Sequence, residues 1–291
     1  MDLHSPVKSP DPPQPQPHPQ TLLEVRIRTA SILGAALLIC LFVLPTSLTV
    51  LVLAAVITLA AWEWAGFGGL KRRAPRLAYT LVMALLLATG WQWSAAPAHL
   101  LLLLEAACSL WIFALFWLCV APARRRPALA LICGAPVLVP AFIGLARVLV
   151  AVRGFAGGPQ MVLWMLVLVF AADIGAFFAG RSFGRHKLAP RVSPGKTWEG
   201  LAGGMASVAL VALIGSAHFG LPLAAGVAFG CAVGAFSVIG DLTESMFKRS
   251  AGLKDSGTLL PGHGGIMDRI DSVTAAAPLY ALGLFGGGVI E

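Results

Sequence analysis

The sequence predicts an all-α, polytopic integral membrane protein with about nine transmembrane helices and a cytoplasmic N-terminus. Three observations carry this reading. Hydrophobic residues make up 58% of the 291-residue chain and charged residues 12%, with a mean hydropathy of +0.83; an ordinary soluble domain is roughly one-quarter charged. Apolar runs approaching the ~20 residues of a bilayer crossing recur along the chain, bounded by charge or by Pro and Gly. The basic residues fall in alternate loops, the pattern left when positive loops stay in the cytoplasm.

In chain order, residues 1–24 begin MDLHSPVKSPDPPQPQPHPQ, too poor in large apolar side chains to offset the entropy of ordering. A disordered Pro/Gln-rich tail is expected there. The apolar run after Arg26 and Arg28 lacks a convincing small-residue cleavage site, which argues against a removed signal peptide. Helices are expected at roughly 29–44, 47–66, 77–93, 99–120, 128–150, 161–180, 200–217, 222–240 and 273–290. The first two are separated at Pro45 because their combined run is too long for one crossing. Residues 25–155 form an N-terminal set of transmembrane helices and 156–291 a C-terminal transmembrane catalytic region.

The loops test this count. KRRAPR at 71–76, RRR at 124–126, the segment from Arg181 to Lys196, and KRSAGLK at 248–254 all fall on one side. The opposite loops hold little beyond Arg153, His99 and His218. The net charge of +8 is therefore mostly a topology signal, with attraction to anionic headgroups as a second effect. Nucleic acid is not an expected partner, since the basic residues are divided among loops rather than interleaved with stacking aromatics. Cys40, Cys108, Cys119, Cys133 and Cys231 lie in apolar runs without a CxxC pair, and read as buried small hydrophobes.

Seven of the thirteen acidic residues fall between 173 and 271: Asp173, Glu199, Asp241, Glu244, Asp255, Asp268 and Asp271. All sit at expected cytoplasmic helix ends or in the loops joining them, and ionisable groups near a membrane span are functional suspects. Glu63 and Glu105 read differently, as local hydrogen-bonding groups rather than chemical ones. In GDLTESMFKR, residues Asp241, Glu244, Ser245 and Lys248 share a face if the eighth helix continues past Gly240. In HGGIMDRID, Asp268 and Asp271 share a face at the start of the ninth helix. The glycines before them, at 262, 264 and 265, allow close backbone approach to a ligand. Their amides suit an anion, and the nearby carboxylates suit a hard cation such as magnesium.

The third cluster is DIGAFFAGRSFGRHKLAPRVSPGKTWEG, residues 173–200. Its GKT invites a P-loop reading, which fails because residue 190 is Pro190 where the first glycine should stand. What survives is a Ser193–Thr197 turn whose Lys196 and hydroxyls can hold phosphates. Carboxylates for metal, with lysines, arginines and glycine amides for phosphate, are the equipment of metal-assisted phosphoryl or nucleotidyl transfer on a lipid. A CTP-dependent lipid kinase or a prenyltransferase would use similar parts, although the aspartate pairs imitate a prenyltransferase's DxxxD only loosely. A transporter would place its charges near the midplane with inverted repeats; here they gather on one side and no repeat is evident.

Residues 245–271, SMFKRSAGLKDSGTLLPGHGGIMDRID, resemble the signature of the phosphatidate cytidylyltransferase (CDP-diacylglycerol synthase) family, and the 173–200 segment is similar to that family's second recurring stretch. The resemblance implies a reaction of CTP with phosphatidic acid that yields CDP-diacylglycerol and pyrophosphate for phospholipid biosynthesis. It matches Asp241 and Asp268 to metal-binding aspartates. Lys248, Arg249, Lys254 and Arg269 match basic positions, and His263, Gly264 and Gly265 the glycine loop; Asp255 and Asp271 are matched as well. Substrate binding is expected at Asp173, Ser193, Lys196, Thr197, Glu199 and Ser245 together with Gly264 and Gly265. Also implied are Mg2+ in a two-cation site whose second ion is unassigned, a homodimer, and residence in a bacterial cytoplasmic (inner) membrane with the active site facing the cytoplasm.

Overall fold

The computed structural model describes residues 19–120, 126–151, 157–257, 259 and 264–287. Among the described residues the chain forms nine helices: α1 Pro19–Phe42, α2 Thr46–Trp64, α3 Arg73–Trp93, α4 Pro97–Val120, α5 Pro127–Ala151, α6 Gly158–Phe183, α7 Trp198–Phe219, α8 Leu223–Ser250 and α9 Met267–Gly286. Seven of these, α2 to α8, are long and apolar enough to cross a membrane. All-α, polytopic architecture is therefore what the sequence produces. The predicted break at Pro45 is present, since α2 starts directly after it.

Three details differ from expectation. α1 begins at Pro19, taking in the end of the stretch read as a tail. α8 does not stop near 240 but continues to Ser250, because its last turns are held by buried contacts rather than by lipid. Between α6 and α7 lies a small antiparallel hairpin, β1 Lys187–Ala189 and β2 Ser193–Thr197, pairing Lys187 with Thr197 and Ala189 with Ser193. Strands this short, one of them containing Pro194, leave no alternating apolar pattern to read.

α9 is less apolar than the seven, since its opening turns carry Asp268, Arg269 and Asp271. It needs no lipid-compatible surface. α8, α5 and α4 pack around it, and Ala275, Ala276, Ala277, Tyr280 and Ala281 are fully buried. Tyr280 donates its hydroxyl to the Met161 carbonyl of α6 at 2.9 Å, so the one polar group of that stretch is satisfied in the core.

α6 and α7 approach one another more closely than ordinary side chains permit. A methyl group at Gly203 would lie 2.2 Å from the Ala179 Cβ, and one at Gly204 would lie 2.6 Å from the Ala172 carbonyl oxygen. In a bilayer, where apolar side chains gain nothing by leaving lipid, small residues permit the tight backbone packing that holds helices together. Gly204→Val should therefore cost at least the ~1–3 kcal/mol typical of overpacking and lower the melting temperature in detergent. Gly195→Ala, with nothing within 4 Å of the added carbon, should leave it unchanged.

Candidate active site

The last turns of α8 and the first turn of α9 meet on the side to which the basic loops map. Asp241, Glu244 and Lys248 succeed one another along one face of α8, as their spacing predicts. Lys248 Nζ lies 2.8 Å from Glu244 Oε2 and 2.7 Å from Asp268 Oδ1, with the three side chains only 12%, 2% and 8% exposed. One ammonium thus serves two carboxylates from different helices. Ser245 donates to Asp241 Oδ1 at 3.4 Å one turn back.

The second oxygen of Asp268 accepts from the Ser256 amide, the Ser256 hydroxyl and the Gly265 amide, each at 2.9 Å. Burial works against ionisation of this carboxyl, but Lys248 and the two amides outweigh it and hold Asp268 below the usual carboxylate range. Gly264 has a φ of +81°, and a Cβ there would stand 2.8 Å from Asp268 Oδ2. Both the backbone conformation and the close approach call for glycine.

A cavity of about 500 Å³ opens between α6, the hairpin, α7 and α8, with Asp173, Arg181, Lys196, Thr197 and Asp241 among its lining residues. Lys196 Nζ reaches Asp241 Oδ2 at 2.5 Å, so the hairpin bridges to α8 across this space. Thr197 caps α7, accepting from the Gly200 amide at 3.1 Å, and places a helix N-terminus, favourable to anions, beside Lys196. Arg269 follows Asp268 in the first turn of α9.

The other predicted residues take varied positions. Ser193 opens β2 opposite Ala189. Glu199 accepts from the Arg185 and His186 amides at 3.1 and 3.2 Å and contacts His186 Nδ1 at 2.6 Å, which grips the base of the hairpin. Arg249 donates to the Leu253 carbonyl at 3.4 Å, closing the end of α8. Lys254 and Asp255 line a second cavity, of about 640 Å³, together with Lys71 from the α2–α3 connection and Arg76 of α3. Asp271 is buried beside α8, where a Cβ on Gly240 would meet its carbonyl oxygen at 2.5 Å. His263 lies outside the described residues. Among the described residues no three His, Cys, Asp or Glu side chains converge as a ready-made metal cage.

One residue was undervalued by the sequence. Glu63 is buried at the end of α2 and accepts from the Ser256 hydroxyl at 3.0 Å and the Met267 amide at 2.8 Å. Its partners are about two hundred positions away, so its role is not the local one expected. The available signal was its place between Trp62 and Trp64 at the end of an apolar run, where an ionisable group needs a buried partner.

Charged side chains of both signs thus line a cavity within an apolar helical bundle, an arrangement suited to a membrane enzyme acting on charged substrates. The model of the cytidylyltransferase family matches residues 24–285, and the chain belongs to that family; it is a nucleotidyltransferase. It is 38% identical to a phosphatidate cytidylyltransferase of Haemophilus influenzae over 89% of this chain and 98% of that protein. With a phosphatidate cytidylyltransferase of Pseudomonas aeruginosa it shares 40% identity, over 92% and 98% respectively. A shorter match to the Brucella suis phosphatidate cytidylyltransferase reaches 45% over 44% of this chain and 47% of that protein.

Removing Lys248 would strand two buried carboxylates. Lys248→Met should cost about 3–5 kcal/mol, the usual penalty for breaking a buried ion pair from one side. Thermal unfolding in detergent measures this, and Glu244→Gln added to Lys248→Met should recover part of the loss.

Proposed function

We propose that this protein is a phosphatidate cytidylyltransferase, joining CTP to phosphatidic acid to give CDP-diacylglycerol and pyrophosphate. The observation that carries the reading is the Lys196–Asp241 pair across a cavity at the helix ends, in a chain that matches phosphatidate cytidylyltransferases almost end to end. The lipid phosphate is already an anion and needs little deprotonation. Its oxygen attacks the α-phosphorus of CTP in line, a new P–O bond forms, and the bond from that phosphorus to the bridging oxygen of the β-phosphate breaks. Pyrophosphate leaves with the bonding electrons, and no covalent enzyme intermediate is required.

The side chains divide this work. Lys196, on the hairpin, and the α7 N-terminus capped by Thr197 draw phosphate oxygens into the cavity. Lys254, with Lys71 and Arg76, supplies positive charge on the other side of the post-α8 loop. Lys248, already shared by two acids, holds α8 and α9 in register.

Magnesium fits the donor set. Its protein sites commonly offer one or two carboxylates and leave the remaining positions to water and substrate phosphates. Asp241 presents such a carboxylate in the cavity, with Asp173 in the same lining, and a lysine ammonium now stands against it. Asp268 has its oxygens taken by Lys248 and three loop donors, so service as a second metal ligand requires exchange of Lys248. When bound, the cations would neutralise charge on the triphosphate and its leaving group.

Further parts of the proposal are an active site on the cytoplasmic face of a bacterial inner membrane, supported by the shared side of the basic loops, and a homodimeric assembly. Purified protein given CTP labelled at the α-phosphorus and phosphatidic acid should place label in a lipid and release unlabelled pyrophosphate. A lipid kinase would leave the label in CDP, and a transporter would leave CTP intact; either result defeats the proposal. Asp241→Ala should abolish activity or raise the magnesium needed for half-maximal rate by roughly tenfold or more, since even outer-shell losses cost metal affinity about that much. An unchanged magnesium titration would remove Asp241 from the site.

A further inference from the structure

Glu63 belongs to α2, a helix that carries no other candidate of the site, yet it touches both ends of the glycine loop. Its Oε2 accepts from Ser256 Oγ at 3.0 Å on one side and from the Met267 amide at 2.8 Å on the other. The Ser256 hydroxyl also lies 2.9 Å from Asp268 Oδ2, so its one proton is shared between the two carboxylates. A single hydroxyl therefore stands between the Glu63 carboxylate and Asp268.

The loop is shaped to receive this carboxylate. A Cβ on Gly257 would lie 2.3 Å from Glu63 Oε1 and 2.7 Å from its Cδ, and a Cβ on Gly265 would lie 2.4 Å from Oε2. No side chain other than hydrogen fits at either position while Glu63 stays in place. The neighbours of Glu63 fix its approach. Trp64 donates its indole N–H to the Ala130 carbonyl of α5 at 2.6 Å and packs on Phe247 of α8. Arg76 of α3 bonds the Trp62 carbonyl at 2.5 Å and stacks over the Trp62 ring.

Stability alone does not account for the residue. Glu63 is 1% exposed, and among the described residues its Oε1 has no hydrogen-bond partner; a buried carboxylate oxygen without one opposes folding. What the carboxylate does achieve is geometric, because it joins Ser256 and Met267 from the far side of the loop and so locates the residue that follows Met267. We infer that Glu63 is a positioning residue: anchored in α2, it clamps both ends of the glycine loop and thereby sets where Asp268 stands. The inference rests on the phosphatidate cytidylyltransferase reading for its kinetic consequence, and on the loop geometry alone for its structural one.

Three measurements on the full-length protein in detergent test it. Glu63→Ala should lower kcat by about tenfold to a hundredfold, the penalty for an ångström-scale misplacement of reacting groups, and should speed hydrogen exchange at the Ser256, Gly265 and Met267 amides. Glu63→Gln keeps an acceptor oxygen for the same two donors and should restore most of the rate, which a need for net charge would not allow. Gly257→Ala should impair the otherwise native protein but add little further loss to Glu63→Ala, because the clash it creates is with the Glu63 side chain. Wild-type kcat and exchange in a folded Glu63→Ala protein would overturn the inference. So would failure of Glu63→Gln to restore the rate, or a Gly257→Ala loss of equal size in both backgrounds. A native protein that makes no CDP-diacylglycerol would instead defeat the functional reading, with hydrogen exchange still reporting on the clamp.

Discussion

The shared ammonium of Lys248 is the interaction on which the rest of the site depends. Glu244 and Asp268 come from different helices, both are buried, and neither has another cation at ion-pair distance among the described residues. Two carboxylates desolvated side by side would repel and drive the helix ends apart. With the lysine between them, the end of α8 and the start of α9 are pulled together. Asp241 is then placed two turns back along the same helix, about 10 Å away by helical rise, facing the cavity instead of the junction. The site therefore has two halves with different duties: a dry half that holds helices and loop, and an open half that can meet phosphates.

Much of this was legible in the sequence because it rests on spacing. Asp241, Glu244 and Lys248 repeat at three, four and seven, which puts them on one helical face whatever surrounds them. Asp268 and Asp271, three apart, share a face for the same reason. What spacing could not convey was which acid meets which base. Lys248 could have satisfied Glu244 alone, as an intrahelical pair, and only the packing of α9 adds Asp268. Nor could spacing convey that Glu199 accepts from the backbone amides of Arg185 and His186. Glu63 illustrates the same limit from the other direction, since its importance lies in partners that no local pattern connects.

The hairpin was hidden for a different reason. Its two strands are short, one contains a proline, and their value lies in geometry: β2 runs directly into α7, so that Lys196 and the capped N-terminus of that helix are consecutive in the chain. The stretch read as a turn at Ser193–Thr197 is a strand paired with Lys187–Ala189. The N-terminal helices likewise supply more than membrane anchorage, because Lys71 and Arg76 reach the cavity beside Lys254.

The glycine contact between α6 and α7 has a mechanical consequence. With backbones this close, the two helices pack as a single plate that carries Asp173 on one helix and the Thr197 cap on the other. α8 forms the facing jaw, and its far end is held by the junction with α9. The cavity between them is therefore a slot walled by helices on three sides, and its remaining wall is the two-stranded hairpin that carries Lys196.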